Sequence, residues 1–258
     1  MAKVYAIISG KGGVGKTTTT VNLGTSLNYL GEDVIIIDAN LTTPNVGIHL
    51  GAPIVPITLN HVLNNQAKLE DAIYEHDSGT KVMPASLSLK ETERINYKTL
   101  PEVTKKLKKI TNFVLIDSAA GLGEEAQAAM NAADEIIIVT NPEMSAVTDA
   151  LKTIKLAEEK NKPVKGVIIT RHSGKRHDMS IANIKEMLES QILGIIPEDD
   201  SVKESHIAKN AVIHTKPRSK AAKNYINTTR RILGEGIALE DPHQIGLFSR
   251  FFKSLGMK

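Results

Sequence analysis

Nine consecutive residues carry the clearest chemistry in the chain: Gly10-Lys11-Gly12-Gly13-Val14-Gly15-Lys16-Thr17-Thr18. They fall between an apolar strand pattern, Val4–Ser9, and a helix pattern, Thr18–Leu30. Glycines let a backbone curl so that several N–H groups face one point, where phosphate oxygens can accept them. The helix that follows adds the positive end of its dipole. In the pattern G-x-x-x-x-G-K-T, Lys16 is placed to reach β- and γ-phosphates, and Thr17 to offer its hydroxyl to Mg²⁺. Two further strand patterns end in aspartate, Asp38 and Asp117. A carboxylate at a strand's carboxyl end beside such a loop can hold Mg²⁺ or its waters.

The elements that must position these groups are short apolar runs separated by helical patterns. The runs are Val4–Ser9, Val34–Asp38, Lys81–Pro84, Phe113–Asp117, Glu135–Thr140, Val164–Thr170 and Ile192–Pro197. Most are continuously apolar and β-branched, as in strands covered on both faces. Thr18–Leu30 and Ser145–Lys160 suit crossover helices. The alternation predicts an α/β fold with a doubly wound, mostly parallel sheet, which binds ligands beyond the carboxyl ends of its strands.

The loop Lys11-Gly12-Gly13-Val14-Gly15-Lys16-Thr17 resembles the deviant Walker A loop of the MinD/ParA family of ATPases. That resemblance implies ATP with Mg²⁺ as the ligand and an ATP-dependent homodimer, in which Lys11 crosses to the partner's nucleotide. Asp117-Ser118-Ala119-Ala120-Gly121 is similar to the family's D-x-P-A-G switch, with Ala119 in place of the proline. Asp38-Ala39-Asn40 stands where the family usually has D-x-D, whose second aspartate positions the attacking water. Asn40 can orient water through its amide but cannot accept a proton. Two readings stay open: another group compensates, or this is a slow or engineered hydrolysis-deficient form. Thr140-Asn141-Pro142-Glu143, Thr170-Arg171 and Ile196-Pro197-Glu198-Asp199 resemble MinD segments in the same chain order. By that resemblance Arg171, Pro197 and Asp199 flank the adenine, although many relatives carry asparagine where Thr170 stands. Lys11, Lys16, Asn40 and Asp117 are thus the expected catalytic group. The metal is expected at Thr17, Asp38 and Asp117.

The last residues, Gly246-Leu247-Phe248-Ser249-Arg250-Phe251-Phe252-Lys253-Ser254-Leu255, hold three of the four phenylalanines. On a helix, Leu247, Phe248, Phe251, Phe252 and Leu255 share roughly 140° of arc, with Arg250 and Lys253 opposite. Such a helix suits an anionic membrane surface, and members of the MinD type end in one. The expected organisation is an ATPase domain over 1–234, a tether over 235–243 and an amphipathic helix over 244–258.

Composition bounds the rest. The 258 residues can bury a sizeable core, and 41% hydrophobic with 24% charged residues is ordinary for a globular protein. The net charge of +3 favours neither nucleic acid nor membrane. Cysteine is absent, which excludes disulfides, thiolate metal sites and cysteine nucleophiles. No apolar run approaches the roughly 20 residues of a membrane span, and the N-terminus opens on a strand pattern. The expectation is a cytoplasmic protein, peripheral on the inner face of the cell membrane, with an unidentified activator or effector. DNA is the weaker alternative partner, since Lys105-Lys106-Lys108-Lys109 and Arg230-Arg231 read mainly as solvated helix faces. A metabolic P-loop enzyme is weaker still, for want of a substrate-specific constellation.

Overall fold

The structure is a computed structural model that describes residues 2–92 and 95–242. Among the described residues, eight strands form one sheet: β1 (Lys3–Ser9), β2 (Val34–Ala39), β3 (Tyr74–Glu75), β4 (Lys81–Met83), β5 (Phe113–Ala120), β6 (Glu135–Thr140), β7 (Val164–His172) and β8 (Ile192–Pro197). Their order is β3-β4-β2-β5-β1-β6-β7-β8. Every neighbouring pair is parallel except β3 with β4. Eleven α-helices accompany them: α1 (Lys16–Tyr29), α2 (Val46–His49), α3 (Leu59–Leu63), α4 (Leu89–Thr92), α5 (Leu100–Leu107), α6 (Glu124–Ala132), α7 (Met144–Glu159), α8 (Ile181–Leu188), α9 (Asp200–Ile207), α10 (Val212–Thr215) and α11 (Lys220–Ile232).

Side chains alternate across each strand, so the apolar runs supply two cores at once. Val4, Ala6, Ile8, Ile35 and Ile37 pack with residues of α3, α5, α6, α7 and α8 on one face. Tyr5, Ile7, Val34, Ile36 and Leu115 pack with α1, α2, α10 and α11 on the other. Helix α1 lies close to the sheet at Gly24, where a Cβ would come within 2.5 Å of the Ile36 side chain. Gly24 therefore belongs to the packing, despite its low helix propensity.

The expected strands are present with revised ends. β5 continues to Ala120, so Asp117 lies inside the strand rather than at its end. Ala119 keeps the N–H that a proline would lack, and Ala120 still registers with Ser9 of β1. β7 likewise reaches His172, whereas β4 stops at Met83 before Pro84. β3 has only two residues and no detectable period; it pairs through a turn in which His76 N–H donates to the Thr80 carbonyl.

Beyond α11 the chain does not simply trail away. Gly234 turns it with φ 91°, and Arg231 gathers three carbonyls: Leu193 through Nη1, Ile237 through Nε and Ala238 through Nη2. The start of the expected tether is thus held on the body. The expected terminal helix, with Leu247, Phe248, Phe251, Phe252 and Leu255, lies outside the described residues.

Candidate nucleotide site

The loop from Gly10 to Gly15 leaves β1 and enters α1. A Cβ on Gly10 would sit 2.4 Å from the Asp149 carbonyl oxygen on α7, so only glycine allows that approach. Gly13 and Gly15 have φ of 78° and 86°, where a side chain would be strained. Between them Val14 is buried in the α1-side core and anchors the loop. Gly15 gives α1 no side-chain cap, and no acidic residue occupies the first turn. The positive helix end is therefore left for an external anion.

Lys16 is buried and turned down onto β5. Its Nζ donates to the Ser118 carbonyl and to Asp117 Oδ1 at 3.2 Å. Thr17 donates its hydroxyl to Asp117 Oδ2 at 2.6 Å, and Thr20 reaches Oδ1 at 3.0 Å. Lys11 behaves differently. It stands at the rim, 3.1 Å from both Glu143 Oε2 and Ser145 Oγ. That pair is exposed on both sides, and exposed pairs of this kind are worth only about 0–1 kcal/mol.

Asp38 and Asp117 are register partners on adjacent strands, and both are buried. Asp38 Oδ2 accepts the N–H groups of Asn45 and Val46 at 2.9 Å each, and Oδ1 accepts that of Asn40 at 3.2 Å. Burial, with Asp117 beside it, pushes the Asp38 carboxyl up to about 7 despite those three donors. Oxygens from Thr17, Asp117 and Asp38 form a hard donor set suited to Mg²⁺, which keeps several waters and needs few protein ligands. Accordingly, no cluster of three His, Asp or Glu able to hold a metal occurs among the described residues. Asn40 is held within its own turn: Nδ2 donates to the Thr43 carbonyl, and Oδ1 accepts from the Thr43 hydroxyl at 3.0 Å.

Two cavities meet over the loop. One, of about 430 Å³, is lined by the glycine-rich loop together with Asn40, Thr43, Asn45 and His49. The other, of about 280 Å³, lies between Thr170, Arg171, Pro197, Asp199 and Tyr225. Gly15, Thr18, Arg171 and His206 line both. Arg171 holds φ 51° within β7, in the register irregularity between Ile169 and His172 at the cavity wall. The Thr170 hydroxyl lies 2.6 Å from the Val14 carbonyl and 2.8 Å from Asn141 Oδ1. It ties the loop to β6 and β7, so its work is structural rather than base-reading. The Asp199 carboxylate is similarly occupied. It accepts from Ser201 N–H at 2.9 Å and Ala221 N–H at 3.1 Å, capping α9 and the start of α11. Burial works against its charge, yet these N–H donors hold its pKa below the usual value.

The architecture matches known proteins closely. The AAA domain model matches residues 2–165. An uncharacterized ATP-binding protein of Methanocaldococcus jannaschii is 35% identical over 91% of this chain and 89% of its own length. The septum site-determining protein MinD of Thermotoga maritima is 34% identical over 93% of this chain and 92% of its own. The MinD structure from Pyrococcus horikoshii, complexed with Mg-ADP, superposes with a TM-score of 0.87 at 35% identity, covering 92% of this chain and 99% of that one. The chain belongs to the MinD/ParA family of P-loop ATPases.

A second model, of 4Fe-4S iron sulfur cluster binding proteins of the NifH/frxC family, matches residues 104–245. That kinship concerns the fold, because without cysteine this MinD/ParA chain offers no thiolate to a cluster. Within the family frame, the structure gathers Gly12, Gly13, Val14, Gly15, Lys16, Thr17, Thr18, Asp38, Asn40, Asp117, Arg171, Pro197 and Asp199 around one cleft. It adds Thr43, Asn45, His49 and His206, which the motifs do not mark. Asn45 had a faint signal, as a cap-type residue seven positions after Asp38. His206 had none, since it reaches the cleft from the far end of α9.

Asp38 gives the protein a defined pH response. Folded Asp38 holds its proton up to about pH 7, whereas the unfolded residue ionises near 3.8. The folded state binds more protons across that window, so stability falls as pH rises through it and levels off above. Asp38→Asn removes the titration. In urea unfolding without nucleotide, the variant's midpoint should vary less than the parent's between pH 5 and pH 8. An equal pH slope in both proteins would contradict the assignment.

Proposed function

We propose that this protein is a MinD-like ATPase switch: ATP drives homodimerisation and reversible attachment to an anionic membrane surface, hydrolysis releases it, and the cycle serves division-site positioning. The observation that carries the reading is the division of labour between the two loop lysines. Lys16 is turned into the site over Asp117, while Lys11 stands outward at the rim on an exposed, weak pair. One lysine thus serves its own nucleotide and the other is free to reach a partner's. Thr17 and Asp117, with Asp38 beside them, would hold Mg²⁺, which neutralises phosphate charge when bound. The septum site-determining relative from Thermotoga supports the division role. An Aquifex aeolicus relative, 32% identical, was solved as a MinC:MinD complex, which supports an effector protein as partner. No helix among the described residues is long and apolar enough to cross a membrane, so attachment would be peripheral, through residues 247–255.

The discriminating experiment is co-sedimentation with anionic liposomes, with and without ATP. The full chain pellets with ATP. A chain lacking residues 246–258 still binds ATP but stays at the no-vesicle background, because a single short amphipathic segment supplies only marginal anchoring and nothing replaces it. ATP-dependent pelleting without the tail would refute the tail's role. A parallel arm with duplex DNA tests the partitioning alternative. The basic clusters support that alternative poorly, since Lys108 is paired with Asp134 at 2.9 Å and Arg231 with backbone carbonyls.

Asn40 gives the switch a slow clock. Its amide is committed to Thr43, and it brings no carboxylate of its own to the cleft. Asn40→Asp should raise single-turnover hydrolysis by about a hundredfold, the lower end of the range for a positioned general base. A rate no higher than the parent's would show that another group limits turnover.

A further inference from the structure

His49 and His206 come from distant parts of the chain and meet over the cleft. Their ring centroids are 4.5 Å apart at 73°, an edge-to-face contact. His49 sits on α2, directly after the segment that wraps the Asp38 carboxylate, and its Nδ1 lies 3.0 Å from the Asn45 carbonyl. A carbonyl can only accept, so Nδ1 carries the proton and Nε2 is an acceptor. That Nε2 is buried and has no hydrogen-bond partner. His206 sits on α9, the helix that starts at the Asp199 wall of the smaller cavity. Its Nε2 lies 3.2 Å from the Thr18 hydroxyl at the start of α1.

The position of His206 is the informative part. The larger cavity holds the phosphate loop, and the smaller one lies between Arg171 and Pro197. His206 is one of four residues common to both. Of the other three, Gly15 has no side chain, Thr18 is bonded to His206, and Arg171 is a cation. A nucleotide that fills both cavities must lay its sugar across their junction. Burial, with His49, Lys209 and Arg171 nearby, lowers the His206 pKa to about 4. The ring is therefore neutral, with one N–H and one lone pair. With Nε2 on Thr18, Nδ1 is the nitrogen left for a ligand. A sugar hydroxyl is both donor and acceptor, so it can pair with Nδ1 in either tautomer.

We propose that His206, braced by His49, faces the ribose hydroxyls and makes the site selective for ribonucleotides over deoxyribonucleotides. The proposal rests on the ATP-binding reading above and adds the part of the ligand that the loop motif does not address. His206 makes the contact, and His49 is a positioning residue that holds the ring edge-on. A site built to pair a hydroxyl discriminates against a ligand lacking it, because its own polar groups are left unmatched.

The test is titration calorimetry on the nucleotide-stripped full chain with ATP, 2′-deoxy-ATP, 3′-deoxy-ATP and inorganic tripolyphosphate. The parent should prefer ATP over at least one deoxy analogue by about tenfold, the value of one well-made hydrogen bond. His206→Ala should shrink that ratio to about twofold or less, with tripolyphosphate affinity falling by a smaller factor than ATP affinity. His206→Asn, which keeps a donor and an acceptor, should restore part of the ratio. His49→Ala should lower the ratio, and His49→Phe, which keeps the ring contact, should lower it less. Thermal unfolding confirms that each variant is folded. A parent that binds ATP and both deoxy analogues equally overturns the proposal. So does a His206→Ala variant that weakens every ligand by the same factor. A parent that binds neither ATP nor tripolyphosphate would overturn the nucleotide reading itself, a result distinct from binding without sugar discrimination.

Discussion

Lys16→Ala should lower ATP affinity by about a hundredfold or more, since charge-assisted hydrogen bonds contribute about 1.5–3 kcal/mol each and Lys16 is the cation proposed to face the phosphates. Turnover should fall with it. In the nucleotide-free protein Lys16 also balances Asp117, which is buried next to Asp38. The alanine variant leaves that carboxylate without its cation, although Thr17 and Thr20 still donate to it. A drop in stability is therefore expected as well, and affinity must be read by calorimetry on protein shown to be folded. ATP binding at parental strength in folded Lys16→Ala would remove the site from this loop.

Lys11→Ala should have a large but different effect. Its partners, Glu143 and Ser145, lie at the rim, and Lys11 makes no contact with Asp38 or Asp117. Monomer affinity for ATP should stay within about threefold of the parent, because an exposed ion pair contributes little to the site. ATP-dependent dimerisation, followed by light scattering with a non-hydrolysable analogue, should be lost, and hydrolysis with it. Glu143→Gln provides the converse: it releases Lys11 from its intrachain partner and should leave dimerisation intact or slightly favoured. Parental scattering and turnover in Lys11→Ala would show that the rim lysine has no role across the dimer.

The phosphate loop was legible because its chemistry needs consecutive residues, so the whole cradle is spelled in one stretch. Asp38 and Asp117 were legible because they follow apolar runs that could only be strands. The rest of the cleft is built by topology. His49 and His206 stand 157 positions apart and meet only because α2 and α9 both pass over the start of α1; neither has a neighbour in sequence that announces it. The structural work of Thr170 and Asp199 was hidden for a related reason. A hydroxyl or carboxylate beside a ligand reads as a ligand group until its partners, here Val14 and Ala221, are seen to be backbone. The extension of β5 past Asp117 runs through a register irregularity beside Ser9 that no residue pattern announced.

The grip of Arg231 on the carbonyls of Ile237 and Ala238 has a mechanical consequence. It shortens the leash. Asp241 also lies 3.7 Å from His172, and Pro242 is still buried on the body. From Pro242 to Leu247 there are five residues, and an extended chain spans at most about 3.6 Å per residue, so the reach is about 18 Å at most. A body anchored through Leu247 could not swing far above a bilayer. Under the proposed membrane attachment it would ride at a small standoff, and two such bodies would search for each other in a thin, nearly two-dimensional layer instead of in bulk.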